Sequence, residues 1–402
     1  MSKNVYIIDG IRTPVGNFGG GLSQVRTDDL AATVIKELVK RNPEIPVEEI
    51  EDVILGCHNQ AGEDNRNVAR MALLLAGLPY TIPGETINRL CSSGMSSIVN
   101  AARAIACGDG DIYIAGGVEH MTRGPLVVSK PSKAFGTDSK MEDSSFGWRF
   151  VNPKMKEMYG VDPMGITAEN LVELYNISRE DQDLFSYNSQ MKAAKAQENG
   201  RLAKEIMTVE IPQRKGEAVL FDKDEFVKPN SSLETLAKLK PAFKKDGTVT
   251  AGNASGLNDG AAAVFLVSEE AVKKYNLKPI AKIVSSGVVG VEPKIMGIGP
   301  VGASHKALKR AGLELKDIDV VELNEAFAAQ SLACIRAFGL TDDDARINPN
   351  GGAIAIGHPL GMSGTRIVYS AALELQEQNK KYALATMCVG VGQGYALILE
   401  KV

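Results

Sequence analysis

Short apolar runs alternate with helical patterns along the whole chain, and this alternation limits the fold more than any other feature of the sequence. Parallel strands must be joined by crossovers of a dozen or more residues, which are usually helices. The pattern therefore predicts βαβ units, a mostly parallel sheet and the α/β fold class. The runs interpreted as strands are residues 5–8, 53–55, 112–115, 280–284, 320–323 and 384–387.

Two segments far apart in the chain resemble each other. Cys91-Ser-Ser-Gly-Met-Ser96 opens an amphipathic helix that leads into the apolar run at 112. Pro359-Leu-Gly-Met-Ser363 opens another, which leads into the run at 384. The shared order of loop, helix and strand predicts two copies of one βαβ unit.

The middle of the chain has a different composition. Between residues 123 and 250 Lys, Ser and Asp become more frequent and the apolar runs almost vanish, which predicts an inserted, loop-rich unit. One helix within it is predicted from Ser178 as N-cap to a stop at Asn199-Gly200. A chain of 402 residues is expected to form two or three packed units. We divide it into an N-terminal core half (1–122 plus 251–270), the insertion (123–250) and a C-terminal core half (271–402).

Charge and cysteine content exclude several classes of protein. Lys and Arg number 45 against 49 Asp and Glu, a net charge of −4, so no global charge favours nucleic acid or an anionic membrane. The five cysteines form no Cys-x-x-Cys pair and leave an odd thiol, which argues against a disulfide framework or a zinc ribbon. No segment has the length of a signal-peptide core or a membrane span. We expect a cytoplasmic protein.

Cys91 lies where the strand-like segment 85–88 gives way to a helix. A thiol at a helix N-terminus is expected to have a lowered pKa and to react as a nucleophile. A free cysteine is, however, more often a small buried apolar residue. The residues alone support the two interpretations about equally.

A thiolate needs a base, and His358 is the candidate because it lies in a glycine-rich segment and precedes Pro359, which favours an extended backbone. For His58, His120 and His305 a solvated or packed role is favoured. Cys388 precedes a glycine turn that predicts a hairpin.

Asn324 follows the run at 320, and its residues favour a helix N-cap over a holder of substrate or water. With Cys91, His358 and Cys388 it is expected at the carboxyl ends of strands, in one crevice suited to thiol chemistry. No dinucleotide fingerprint, phosphate loop or His-Glu-x-x-His metal motif is present.

Together these motifs resemble the thiolases, the acyl-CoA:acetyl-CoA C-acyltransferases, over essentially the whole chain. The resemblance implies a duplicated βαβαβ core in five layers, αβαβα, with an inserted loop domain. It rests on Arg12-Thr-Pro14 with Phe18-Gly-Gly20, Asn88 to Gly94, Thr250 to Gly260, Asn324-Glu-Ala-Phe327, Gly357-His-Pro359 and Cys388-x-Gly390-x-Gly392.

The resemblance also implies a two-step Claisen reaction. Cys91 would attack the keto carbon of a 3-ketoacyl-CoA while His358 accepts its proton, and Cys388 would serve as the second acid and base. Backbone N–H groups of Cys91 and Gly390, and His358 with a water held by Asn324, would stabilise the oxyanions. This role for Asn324 reverses the preference for a cap.

Coenzyme A enters as a substrate, with no tightly bound cofactor and no metal expected. The insertion would bind it and form part of the cover. Residues 214–245 carry eight Lys or Arg against five Asp or Glu, a local positive balance. By position in the family pattern, Lys228 and Thr235 would meet the nucleotide end. The pantetheine tunnel would be lined by Met164, Phe243, Ala251, Ser255 and Phe327. The family forms homodimers and homotetramers, and we expect one of these.

Two features bear on the substrate. Pro163-Met164-Gly165 is similar to the degradative 3-ketoacyl-CoA thiolases, which associates the chain with fatty acid β-oxidation and lipid metabolism. Val391 in the last glycine turn, with residues 60–70, resembles the 3-oxoadipyl-CoA thiolases of aromatic breakdown, although the loop 162–168 does not. Chain length therefore stays open, and an acetoacetyl-CoA-forming enzyme is a further alternative.

Rivals on the same scaffold are a decarboxylating or HMG-CoA-type condensing enzyme, which generally lacks the second cysteine, and a non-catalytic acyl-CoA-binding protein. An NAD-dependent oxidoreductase is disfavoured by the missing fingerprint.

Overall fold

The computed structural model describes residues 3–402, which form strands β1–β14 and helices α1–α12. The strands are β1 (Val5–Arg12), β2 (Gly16–Asn17), β3 (Asp52–Gly56), β4 (Gly84–Ile87), β5 (Ile112–His120), β6 (Leu126–Val128), β7 (Met141–Asp143), β8 (Val209–Ile211), β9 (Val219–Phe221), β10 (Asn258–Ser268), β11 (Ala281–Gly290), β12 (Val320–Leu323), β13 (Tyr382–Val389) and β14 (Gln393–Lys401). The helices are α1 (Thr27–Arg41), α2 (Val68–Leu75), α3 (Ser93–Cys107), α4 (Pro153–Tyr159), α5 (Met164–Tyr175), α6 (Arg179–Glu198), α7 (Leu233–Ala237), α8 (Glu269–Lys274), α9 (Gly299–Ala311), α10 (Ala328–Ala337), α11 (Ala353–Ile356) and α12 (Leu360–Glu377).

The two halves of the chain repeat one strand order. In the first half the order is β4-β3-β5-β10-β1, with β3 parallel to β4 and β5, and β10 antiparallel to β5 and β1. In the second half β12, β13, β14 and β11 follow the same order with the same directions, and a parallel bridge from Val321 to Ile347 takes the place of β4. The predicted duplication is therefore confirmed.

The sheet is mixed rather than mostly parallel, so that part of the sequence prediction was wrong. Only the pairs β3·β4, β3·β5 and β12·β13 are parallel in the main sheet. The turn between β13 and β14 is too short for a crossover and forces an antiparallel pair. The edge strands β1 and β11 also pair antiparallel, at Tyr6 with Lys282 and Ile7 with Ala281, which joins the halves into one ten-stranded sheet.

Three hydrophobic clusters correspond to three helical layers. One packs α1 and α2 on the outer face of the first half, and another packs α9 and α10 on the outer face of the second. The third holds α3 and α12 between the inner faces of both halves. Helices and strands therefore alternate in five layers, as the resemblance implied.

The central helices approach each other closely because small residues face the contact. A Cβ built on Gly94 would lie 2.5 Å from the carbonyl oxygen of Gly361, and one on Gly364 would lie 2.3 Å from the nitrogen of Met95. The first turns of α3 and α12 therefore meet, and these are the turns that follow Cys91 and His358.

The insertion between β5 and β10 contains α4–α7 and two short hairpins, β6–β7 and β8–β9. The predicted helix is confirmed as α6, where the Ser178 hydroxyl accepts a hydrogen bond from the Asp181 N–H. Each strand of the two hairpins has three residues. Strands were predicted from longer apolar runs, so these short strands were not predicted. Among residues 3–402 no helix has the length and apolar character needed to cross a bilayer.

Candidate active site

Cys91 is presented by a strained turn between β4 and α3. Leu90 has a φ of +49°, a conformation that L-residues with large side chains rarely adopt. The Asn88 side chain holds this turn: its Oδ1 accepts the Leu90 N–H at 2.9 Å and its Nδ2 donates to the His58 carbonyl at 3.0 Å. A single 3₁₀ turn, Leu90–Ser92, then leads into α3.

The pKa of Cys91 does not follow the sequence prediction. Burial raises the pKa of this thiol to about 11, although the N–H groups of Gly390 and of Cys91 itself act to lower it. The prediction of a lowered pKa was wrong because it considered the helix terminus alone and not the removal of the sulfur from water. The same two N–H groups are the predicted oxyanion donors, and the structure brings both to the Cys91 sulfur.

His358 is held in one orientation by hydrogen bonds to both of its ring nitrogens. Nδ1 lies 2.6 Å from the Ser363 hydroxyl, and Nε2 lies 3.4 Å from Nδ2 of Asn324. Because the Ser363 hydroxyl donates to the Pro359 carbonyl at 2.8 Å, it can only accept from the imidazole. The proton is thus assigned to Nδ1, which leaves Nε2 with a lone pair that can accept a proton.

Burial, with a smaller contribution from the Arg366 charge, lowers the pKa of His358 to about 3. Cys91 and His358 are therefore a neutral thiol and a neutral imidazole at pH 7.

The backbone of His358 is also held in place. Its backbone N–H donates to Asn258 Oδ1 at 3.0 Å. The other three site residues lie at or just after the end of a strand, whereas His358 follows the single-turn helix α11, which corrects the expectation that all four lie at strand ends.

Asn324 immediately follows β12 and is fully buried. Helix α10 begins at Ala328 with Phe327 as its N-cap, so Asn324 is not the cap that the residues alone favoured. Its Nδ2 points at His358, and its buried Oδ1 has no hydrogen-bond partner within the described part of the chain. An amide in this position can orient the imidazole and accept a hydrogen bond from a bound group.

Cys388 is the last but one residue of β13, and the predicted hairpin to β14 is confirmed. Burial raises the pKa of the Cys388 thiol well above its ordinary value, and the neighbouring Cys91 and Cys334 thiols raise it further. The 3₁₀ turn that carries Cys91 packs against β13, which places the two thiols in one neighbourhood. In the turn, Gly392 has a φ of +80° and a Cβ there would lie 2.2 Å from the Val291 carbonyl oxygen, so glycine is required.

The residues expected to bind CoA fall into two neighbouring groups. Lys228, Thr235 and Ala251 line a cavity of about 520 Å³ between α6, α7 and the segment before β10. Phe243 packs edge to face against Phe327, with ring centroids 6.0 Å apart.

This second group continues from the Phe243 ring towards the cysteines. The Phe243 ring also covers Gly165, the neighbour of Met164. The Ser255 N–H donates to the Ala326 carbonyl at 3.0 Å, beside the cluster that contains Phe327 and Cys388.

Two of the eight basic residues in 214–245 are paired with carboxylates. Lys238 contacts Glu234 and Lys244 contacts Glu173. Lys228 instead lies over the Phe226 ring, at 4.9 Å from its centroid, and forms no ion pair with any carboxylate of residues 3–402. The Thr235 hydroxyl is used in a capping box with Ser232, which leaves Lys228 as the stronger candidate for a phosphate contact.

Two buried groups near the site were not found from the sequence. Ser363 lies in the segment that repeats the Cys91 region, and its side-chain role appears only with the fold. Glu119 accepts backbone N–H groups from His58, Asn59 and Gly361 and so ties the start of α12 to the loop after β3. The cysteine sulfur and carboxylate oxygens of Cys57, Asp64 and Glu119 lie within 4.8 Å of one another, a spacing that could suit a metal ion. The Glu119 oxygens, however, already accept hydrogen bonds from these backbone N–H groups.

Comparisons with known proteins give one consistent result. The family model "Thiolase, N-terminal domain" matches residues 5–270, and "Thiolase, C-terminal domain" matches residues 277–401. The chain is 58% identical to a beta-ketoadipyl-CoA thiolase of Acinetobacter baylyi over the full length of both proteins. It is 56% identical to the 3-oxoadipyl-CoA/3-oxo-5,6-dehydrosuberyl-CoA thiolase of Escherichia coli, again over both full lengths. The crystal structure of human mitochondrial 3-ketoacyl-CoA thiolase in complex with CoA superposes with a TM-score of 0.92 at 42% identity, covering 100% of this chain and 98% of that one.

Proposed function

The chain belongs to the thiolase family, and from this premise we propose that its substrate is 3-oxoadipyl-CoA, which it cleaves with CoA to acetyl-CoA and succinyl-CoA. The family membership itself makes the protein an acyltransferase that acts on CoA thioesters. The observation that carries the choice of substrate is the full-length identity of 58% and 56% to relatives named for 3-oxoadipyl-CoA, also called β-ketoadipyl-CoA. These relatives favour 3-oxoadipyl-CoA over the fatty acyl substrates of β-oxidation, with which Pro163-Met164-Gly165 had associated the chain.

In the first step we assign Cys91 as the nucleophile. Its sulfur attacks the C3 keto carbon, and its proton passes to Nε2 of His358, the ring nitrogen that carries no proton. The N–H groups of Cys91 and Gly390 and the protonated His358 then face the oxygens on which negative charge develops. A neutral pair suits this step because charge appears only as the new bond forms.

In the second step the C2–C3 bond breaks. The succinyl group stays on Cys91 as a thioester, and the electron pair left on C2 takes the proton of Cys388, which releases acetyl-CoA. The Cys388 thiolate then removes the proton of an incoming CoA thiol. That CoA sulfur attacks the thioester, succinyl-CoA leaves, and His358 returns its proton to Cys91. The raised pKa of Cys388 keeps its proton in place until the strongly basic carbanion forms.

A thiolysis panel tests the proposed substrate. The wild-type enzyme is given 3-oxoadipyl-CoA, acetoacetyl-CoA and 3-oxooctanoyl-CoA, and kcat/KM is measured from the loss of ketoacyl absorbance. We expect 3-oxoadipyl-CoA to be preferred by about tenfold or more, which corresponds to about 1.4 kcal/mol of transition-state discrimination. A preference for either uncharged substrate would contradict the proposal while leaving the thiolase assignment intact.

We also propose that the protein is a homodimer or homotetramer. In support, the β6–β7 hairpin of the insertion carries exposed apolar side chains, at Leu126, Val128, Phe135 and Met141. Light scattering after size exclusion should give two or four times the chain mass of 42.9 kDa. A monomer at micromolar concentration would refute this assembly.

A further inference from the structure

Arg149 lies on the insertion, between the loop 162–168 and the turn that carries Cys91. Its neighbour Trp148 donates from Nε1 to the Asp162 carbonyl at 3.2 Å, two residues before Met164. Arg149 itself donates from Nη1 to the Ser144 carbonyl at 2.7 Å. The guanidinium is therefore fixed by one bond to the insertion while it stays half-buried.

A short chain of contacts connects this position to Cys91. The Ser144 hydroxyl accepts from Nδ2 of Asn59 at 3.0 Å, and the preceding carbonyl, that of His58, accepts from Nδ2 of Asn88. Asn88 holds the Leu90 turn, as described above. The Arg149 charge is also felt at His58, because burial and then Arg149 lower the pKa of that imidazole to about 4. His58 is therefore neutral at pH 7, and Arg149 carries the positive charge beside the His58–Asn59 loop.

The Arg149 charge is not neutralised by the protein. Arg123, in the same insertion, is by contrast paired with Glu63. Arg149 forms no ion pair within residues 3–402 and uses one of its five N–H donors. The nearby carboxylate of Glu119 is occupied by three backbone N–H groups, and burial raises its pKa to about 7, so it is a weak counter-charge at neutral pH.

We propose that Arg149 binds the terminal carboxylate of a dicarboxylic acyl group carried on Cys91. This assignment rests on the proposed function, since the succinyl thioester ends in a carboxylate two methylenes beyond the carbonyl carbon. Such a short chain must meet its counter-charge close to the nucleophile rather than in the CoA channel. A guanidinium with free N–H donors matches a carboxylate in a bidentate pair.

The test compares two substrates with the same six-carbon chain, 3-oxoadipyl-CoA and 3-oxohexanoyl-CoA, which lacks the terminal carboxylate. In Arg149→Gln we expect kcat/KM to fall about 10- to 100-fold with 3-oxoadipyl-CoA and to change less than about twofold with 3-oxohexanoyl-CoA. Arg149→Lys keeps the positive charge but not the paired N–H donors of the guanidinium, so its kcat/KM with 3-oxoadipyl-CoA should lie between those of Arg149→Gln and the wild-type enzyme. Arg310→Gln is the matched control, because Arg310 also donates from Nη1 to a backbone carbonyl, that of Ser286, at 2.7 Å but is exposed.

The outcomes separate this inference from the proposed function. If the wild-type enzyme does not favour 3-oxoadipyl-CoA over 3-oxohexanoyl-CoA, the substrate proposal and the role of Arg149 both fail. If it does favour it, but Arg149→Gln loses equally on both substrates or on neither, only the Arg149 assignment fails. A variant with normal activity on 3-oxohexanoyl-CoA is folded, so a selective loss cannot arise from misfolding.

Discussion

Ser363→Ala tests whether the tautomer of His358 is fixed by its neighbour. The Ser363 hydroxyl accepts from Nδ1 at 2.6 Å and donates to the Pro359 carbonyl at 2.8 Å. When the hydroxyl is removed, the Pro359 carbonyl keeps its bond from the Ser363 backbone N–H at 2.9 Å. The imidazole Nδ1–H alone is left buried without an acceptor.

An unpaired buried donor costs about 1–3 kcal/mol. The imidazole can avoid this cost by moving its proton to Nε2, but it then cannot accept the proton of Cys91. Either way the attack of Cys91 is slowed, and at about 1.36 kcal/mol per decade the expected fall in kcat/KM is about 5- to 150-fold. KM for CoA should change little, since Ser363 lies outside the residues that line the cavity beside Lys228, where CoA is expected to bind.

The assay is steady-state thiolysis, with the melting temperature as a check on folding. Ser186→Ala is the matched control, because the Ser186 hydroxyl is also buried and bonds to the carbonyl four residues earlier, at 2.8 Å, with no imidazole nearby. If Ser363→Ala keeps kcat/KM within about twofold of wild type, the hydroxyl does not set the tautomer and the assignment of the base must be revised.

Three other perturbations address separate parts of the site. Cys91→Ala should abolish thiolysis and condensation, whereas Cys388→Ser should still form an acyl adduct on Cys91, seen by mass spectrometry, without cleaving a 3-ketoacyl-CoA; full thiolysis by either variant would refute the roles of the thiols. Alkylation of Cys91 by iodoacetamide should rise about tenfold per unit between about pH 7 and pH 9, because its raised pKa leaves little thiolate there, and a plateau below about pH 8 would contradict the effect of burial. Gly94→Ala should lower the melting temperature, because the new methyl group would push α3 away from Gly361 at a cost of about 1–3 kcal/mol in the free energy of unfolding. Gly302→Ala is the control and should not lower it, because the nearest atom to a Cβ there lies 3.3 Å away. Equal melting temperatures of the two variants would argue against the close contact of the central helices.

Local patterns predicted the parts of this fold that local chemistry decides. Helix α6 begins directly after Ser178 because the Ser178 hydroxyl accepts a hydrogen bond from the Asp181 N–H, a contact encoded in four residues. The hairpin after Cys388 follows from glycines spaced for a tight turn. The duplicated core could be predicted because two segments share one order of loop, helix and strand. One begins at Cys91 and leads to the run at 112, and the other begins at Pro359 and leads to the run at 384.

The properties that the sequence did not reveal depend on what lies around a residue in space. The direction of the Cys91 pKa shift is decided by burial, which comes from elements hundreds of residues away. Ser363 becomes a hydrogen-bond partner of His358 only when the loop before α12 folds back on the first turn of that helix. Arg149 looks like one of many basic residues in a polar insertion, and its lack of a counter-charge can be seen only when its neighbours are placed.

The central layer of α3 and α12 has a consequence for how activity arises during synthesis. The nucleophile is translated early, whereas the imidazole and the second thiol lie within the last 45 residues. A nascent chain can therefore complete its first half, which ends at residue 270, before the imidazole and the second thiol have been made. Turnover begins only when the final helix and hairpin dock, so the onset of activity should coincide with release of the finished chain.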